Sequence, residues 1–133
     1  MESQTVLLID DEEAVREAAV EYLLERGLNV ITANSATEAI QWMARPDHPI
    51  VAVLVTDFVM PDMNGMDLSL HLNEIFPDLQ TLFITGFGHN VVVNGELASE
   101  NAQWLSKPVS LRVLDAEVRK MLARTAGTPI LVS

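Results

Sequence analysis

The chain has 133 residues, 49% of them apolar, no cysteine, and a net charge of −11 from 19 acids against 8 bases. That length suits one domain with one core. The missing thiols exclude a disulfide scaffold, a thiolate zinc site and a cysteine nucleophile, and the negative surface disfavours direct contact with nucleic acid.

Thr5 to Ile9 is a short, β-prone apolar run, followed at once by the acid block Asp10-Asp11-Glu12-Glu13. From Glu12 to Arg26, Val15, Ala18, Ala19, Tyr22 and Leu23 fall on one helical face, and Gly27 supplies a stop. Leu28 to Ala33 reads as a second strand. Ser35 is the N-cap of a helix carrying Ala36, Ala39, Ile40, Met43 and Ala44 on one face, and Glu38 completes a capping box. Pro46 and Pro49 end that helix. Ile50 to Thr56 is apolar without alternation, the pattern of a strand buried on both faces of a parallel sheet.

Asp57 through Gly65 is a loop rich in Pro, Asp, Asn and Gly. Met66 to Phe76 reads as a helix with Leu68, Leu72, Ile75 and Phe76 inward, and Pro77 ends it. Leu79 to Ile84 is a fourth strand. Thr85 to Asn101 is mixed, with a Val91-Val92-Val93 run, Gly95, and a short helical stretch from Glu96 to Glu100. It reads as a weak, mobile helix. Ala102 to Ser106 is a fifth strand. Leu111, Leu114, Val118, Met121 and Leu122 define a last helix. Residues 1–124 form the domain, and Thr125 to Ser133 reads as a loose tail.

No apolar run approaches the ~20 residues of a transmembrane helix, and no secretory signal is visible. A cytoplasmic location without membrane contact is expected. Strands alternating with helices predict a doubly wound α/β domain around a parallel sheet. In such sheets functional groups gather at the carboxyl ends of the strands. Asp10-Asp11, Asp57, Thr85 and Lys107 follow strands one, three, four and five, so all would meet on one edge. Close carboxylates repel, and a hard divalent cation relieves the repulsion. Mg²⁺ prefers oxygen ligands and commonly bridges carboxylate to phosphate. With a lysine and a hydroxyl beside it, the inventory suits phosphoryl transfer onto an aspartate nucleophile. Asp57 is the candidate because it ends the buried central strand.

These residues resemble a known family. Leu7-Leu8-Ile9-Asp10-Asp11-Glu12, Thr56-Asp57 followed by Met60-Pro61-Asp62-Met63-Asn64-Gly65, Ile84-Thr85-Gly86 and Lys107-Pro108 are similar to the motifs of receiver domains in two-component response regulators. The likeness runs from about Thr5 to Arg124. It implies a flavodoxin-like fold with strand order 2-1-3-4-5 and helices on both faces. It implies Asp57 as phosphoacceptor and Mg²⁺ held by Asp10, Asp11, Asp57 and the carbonyl of Val59. Lys107 would contact the phosphoryl group, Thr85 would be the switch hydroxyl, and the Lys107–Pro108 bond would be cis. Trp104 falls where the family carries its switch aromatic, commonly Tyr or Phe, so tryptophan is a departure.

Singly, each residue has a plainer role. Asp10 or Asp11 would cap a helix, Asp57 would sit in a turn, Thr85 would end a strand and Lys107 would be a solvated charge. Their joint arrival on one edge favours the chemistry. His48, His71 and His89 lack metal-ligand spacing. A phosphohydrolase with an aspartyl nucleophile usually carries a second acid two residues on, and Val59 stands there. The expected enzymology is therefore self-phosphorylation and autodephosphorylation only. The implied partners are a sensor histidine kinase or histidine phosphotransfer protein and a downstream protein target. The latter would be met by the face built from the helix after strand four, strand five and the last helix. No output module follows the last helix, so a stand-alone regulator or a receiver cut from a hybrid kinase or larger regulator is expected, as monomer or weak dimer.

Overall fold

The computed structural model describes residues 4–86 and 102–131, with side chains of the last helix described as far as Arg124. The described elements run β1 (Thr5–Ile9), α1 (Glu13–Glu25), β2 (Asn29–Ala33), α2 (Ala36–Ala44), β3 (Val51–Asp57), α3 (Gly65–Ile75), β4 (Gln80–Thr85), β5 (Ala102–Ser106) and α4 (Leu111–Leu131). All five strands are parallel and lie in the order β2-β1-β3-β4-β5. The doubly wound, flavodoxin-like expectation is met. The helix expected after Thr85 lies outside the described residues.

Strand alternation sorts the core into two layers. Val6 and Leu8 of β1 with Val53 and Val55 of β3 pack against Ala19 and Leu23 of α1 and Val118 and Met121 of α4. Leu7, Ile9 and Leu54 face the other way, onto Ala36, Ala39 and Met43 of α2 and Leu68 and Leu72 of α3. Ala52 and Val53 are neighbours yet join the same layer. The β1–β3 ladder pairs Thr5 with Val51 and Val6 with Val53, so Ala52 is the extra residue of a bulge.

Local signals set the helix ends. The Ser35 hydroxyl accepts the Glu38 N–H at 3.1 Å, while Glu38 reaches back to the Asn34 N–H at 2.6 Å. The capping box forms with its return arm one residue early. Asn64 caps α3 through the Asp67 N–H at 2.8 Å, and Gly27, at φ +91°, releases the chain from α1. Two strands extend one residue further than their sequence suggests. Asp57 pairs with Ile84 and Thr85 with Ser106 inside the ladder.

The segment from Thr125 reads as a loose tail in the sequence; its backbone is helical, with α4 running to Leu131. Gly127 and Pro129 argue against helix in the sequence. Adding a residue to an existing helix avoids the nucleation cost, and the backbone carries on from the preceding turn.

Gly65 opens α3 directly beneath the end of β3. A Cβ there would lie 2.7 Å from the Asp57 carbonyl oxygen and 3.1 Å from the Phe58 Cα. Both are backbone atoms with little room to move. Gly65→Ala is expected to lower stability by about 1–3 kcal/mol, read as a lower urea midpoint. An unchanged midpoint would show that the loop gives way freely.

Candidate functional site

β1 and β3 are adjacent and run the same way, so their carboxyl ends share an edge. Asp10 and Asp11 follow β1, and Asp57 closes β3. One carboxylate oxygen from each of the three lies within 4.8 Å of the others. Asp57 is buried, whereas Asp11 is exposed. β4 and β5 bring the remaining groups to the same rim. Thr85, buried, ends β4. Lys107 leaves β5, and its N–H donates to the Thr85 carbonyl at 2.8 Å. The Lys107 ammonium stands 3.2 Å from Asp57 Oδ1, and the Lys107–Pro108 peptide is cis.

The electrostatics follow from this crowding. Burial, reinforced by the negative charge of Asp10, pushes the Asp57 carboxyl up to about 6, against the pull of Lys107. Asp10 is also raised, first by burial, although the Glu12 N–H and the Lys107 ammonium oppose the shift. That Glu12 N–H donates to Asp10 Oδ1 at 2.9 Å. Asp10 therefore satisfies a backbone donor at the entrance to α1 without being its cap, since the N-cap of α1 is Glu12. An oxygen-only donor set with two carboxyls raised above their ordinary range fits a hard cation, which would relieve the repulsion.

Val59 lies two residues past Asp57 on the loop to α3, with its side chain exposed. Trp104 sits on β5 opposite Phe83 of β4. Its indole stacks on Phe83 at 4.5 Å and leans on Phe58 at 5.5 Å. The buried indole Nε1 has no hydrogen-bond partner among the described residues. Of the histidines, His71 is exposed on α3, as its sequence position suggests, and His48 Nδ1 donates to the neighbouring Pro49 carbonyl at 2.7 Å.

Two features escape the sequence. Arg16, on α1, donates to the Asp10 carbonyl at 2.7 Å and so ties the acid turn to the helix that follows it. Its position one helical turn beyond the acid block was the only signal. Beside Asp57 and Lys107 opens a cleft of about 460 Å³ between α1 and α4, lined by Val15, Ala19, Ile84, Val109, Leu111 and Leu114. No sequence pattern marks a cleft formed by helices so far apart in the chain. Among the described residues, no helix is long and apolar enough to cross a membrane.

The model of the response regulator receiver domain matches residues 6–119. Among curated proteins, the chain is 36% identical to the response regulator receiver protein CpdR of Brucella abortus over 88% of this chain and 95% of CpdR. It is 36% identical to the sensor kinase CckA of the same organism over 92% of this chain, but spans only 13% of that kinase. It likewise spans 26% of the transcriptional regulator NtrC of Azospirillum brasilense, at 31% identity over 97% of this chain. Among solved structures, a response regulator receiver domain protein from Clostridium thermocellum superposes with a TM-score of 0.76 at 30% identity, covering 92% of this chain and 97% of that one.

The raised carboxyl of Asp57 makes a signed prediction for the metal-free protein. Its folded value of about 6 stands above the ordinary carboxyl value of 3.8, so the folded state holds this proton more tightly. That contribution to stability is present at low pH and is lost as pH rises through about 6. Asp57→Asn should therefore be more stable than the parent by on the order of 2 kcal/mol at about pH 7.5 in a chelator, and nearly equal to it at about pH 4. Urea unfolding at the two pH values measures this, and a pH-independent difference would contradict it.

Proposed function

The chain belongs to the response regulator receiver domain family, and from that premise we propose that Asp57 is the carboxylate that accepts the phosphoryl group. Phosphoacceptance is the work of the domain, and Asp10, Asp11 and Asp57 form its acidic cluster. The observation that carries the assignment is the ammonium of Lys107 at 3.2 Å from Asp57 Oδ1, next to two further carboxylates.

The proposed donor is a phosphohistidine on a sensor histidine kinase or a histidine phosphotransfer protein. An Asp57 oxygen attacks phosphorus, and the phosphorus–nitrogen bond breaks. The imidazole nitrogen keeps the electron pair, and an acyl phosphate forms. Lys107 neutralises a phosphoryl oxygen, and the Thr85 hydroxyl donates to another. Asp10, Asp11, Asp57 and the Val59 carbonyl are the ligands proposed for Mg²⁺, which when bound offsets the charge of the phosphoryl oxygens. The apolar cleft between α1 and α4 gives a donor protein something to bury beside the reacting carboxylate. Attack of water on the acyl phosphate resets the domain.

Phosphorylation replaces the single charge of the Asp57 carboxylate with a phosphoryl group carrying about −1.5 to −2 charges at this rim. Thr85 and Lys107 are drawn toward it, and β5, with Trp104, and α4 carry the change to a downstream protein. The proposed setting is cytoplasmic, as a monomer or weak dimer without direct nucleic-acid contact. The near full-length match to CpdR supports a stand-alone regulator, and the match to part of CckA supports a receiver within a longer kinase.

Incubation with a small phosphodonor and Mg²⁺, followed by intact-protein mass spectrometry, tests the assignment. One phosphoryl group should appear on the parent and none on Asp57→Asn. Lys107→Ala should slow its appearance by on the order of 10²-fold. Equal labelling of the parent and Asp57→Asn would remove the assignment.

A further inference from the structure

The loop that follows Asp57 is tied down at a point the phosphoacceptor chemistry does not use. Asp62 Oδ2 accepts both the N–H of Thr37, at 2.9 Å, and its hydroxyl, at 2.8 Å. Thr37 lies in the first turn of α2, a helix far from the loop in sequence. The Ser35 hydroxyl already takes the Glu38 N–H of that turn. Asp62 thus acts as a second cap, delivered from another element, and satisfies a further donor of the open helix end. The charge is favourable as well, because a carboxylate gains from the positive end of a helix. Consistently, the hydrogen bonds from Thr37 hold the Asp62 carboxyl below its ordinary range.

The rest of the loop is anchored around this tie. Met60 is buried in the α2–α3 layer and receives the Thr56 hydroxyl on its sulfur at 3.5 Å. The Gly65 N–H donates to the Phe58 carbonyl at 2.6 Å. Val59 lies between these anchors, with its side chain exposed. We propose that Asp62 is a positioning residue, which by capping α2 fixes the loop that presents the Val59 carbonyl to the metal and so couples metal binding to the first turn of α2. This rests on the reading of Asp10, Asp11, Asp57 and the Val59 carbonyl as the Mg²⁺ site. The coupling is reciprocal by thermodynamic linkage, so a metal held at the rim must in turn steady the capped turn.

Calorimetric titration of the full chain with Mg²⁺ tests the proposal, with thermal unfolding of each metal-free variant checking that it is folded. Asp62→Ala should weaken Mg²⁺ binding by about tenfold, the range seen when a group supporting metal ligands is lost. Asp62→Asn removes the charge but keeps an acceptor that caps as well, and should stay within about twofold of the parent. Thr37→Val, which loses the hydroxyl and keeps the N–H, should fall between them. In the parent, Mg²⁺ should slow hydrogen exchange at the Thr37 amide, and in Asp62→Ala it should not. Equal affinities of parent and Asp62→Ala would overturn the proposal. Equal weakening in Asp62→Asn and Asp62→Ala would assign the effect to bare charge and overturn it too. A parent that binds no Mg²⁺ would instead bring down the metal reading on which the proposal stands, and the proposal with it.

Discussion

Three carboxylates are forced together here by backbone pairing rather than by attraction between them. Leu8 pairs with Val55 and Ile9 with Thr56, so the chain leaves β1 and β3 at neighbouring points. The strands cannot splay to relieve the repulsion, because Val6 to Ile9 and Val53 to Thr56 are buried against helices on both sides. Burial first, and the neighbouring carboxylates after it, therefore hold the carboxyls of Asp10 and Asp57 above their ordinary range. Lys107 offsets part of the repulsion, and a divalent cation is the natural remainder. The apolar core holds an unfavourable charge arrangement in place, which is how a fold keeps a reactive site ready.

The surroundings of the rim are arranged in the same spirit. Arg16 fixes the acid turn from α1, Asp62 and Met60 fix the acceptor loop from α2 and the core, and the Lys107 backbone is fixed to Thr85. The aromatic side of the rim is less settled. Burying the indole N–H of Trp104 without a partner among the described residues would cost about 1–3 kcal/mol. Each aromatic pair it makes with Phe83 and Phe58 returns about 0.5–1.5 kcal/mol. The two contributions are of similar size, so the ring's polar and aromatic contacts give its inward seat only a small net preference.

Much of this was legible in the residues. The unbroken apolar run ahead of Asp57 announced a strand buried on both faces, and the order of acids, threonine and lysine after successive strands announced their shared rim. Such features are local in sequence or follow from the rule that parallel strands end together. What stayed hidden depends on geometry between distant segments. The bulge at Ala52 leaves the apolar pattern unbroken, because Ala and Val are both acceptable on either face. The Asp62–Thr37 contact joins a loop to the first turn of α2, a proximity that no periodicity encodes. The stacking of Trp104 on Phe83 follows from a ladder register that composition alone does not fix. The length of α4 was not legible, because glycine and proline weigh against helix in isolation, while the turn already formed before them weighs for it.

The interior position of β1 in the sheet also bears on how the chain is made. Thr5 to Ile9 is covered on its two edges by β2 and β3 and on its two faces by the helical layers. During synthesis it leaves the ribosome well before Val51 to Thr56, the segment it must lie beside. Until then the nascent chain displays an almost wholly apolar ribbon with an open hydrogen-bonding edge, the kind of surface that aggregates. The acid block immediately after it, Asp10 to Glu13, puts like charge beside that ribbon, the kind of flanking charge that opposes association. The same carboxylates would then guard against aggregation before they serve at the finished rim.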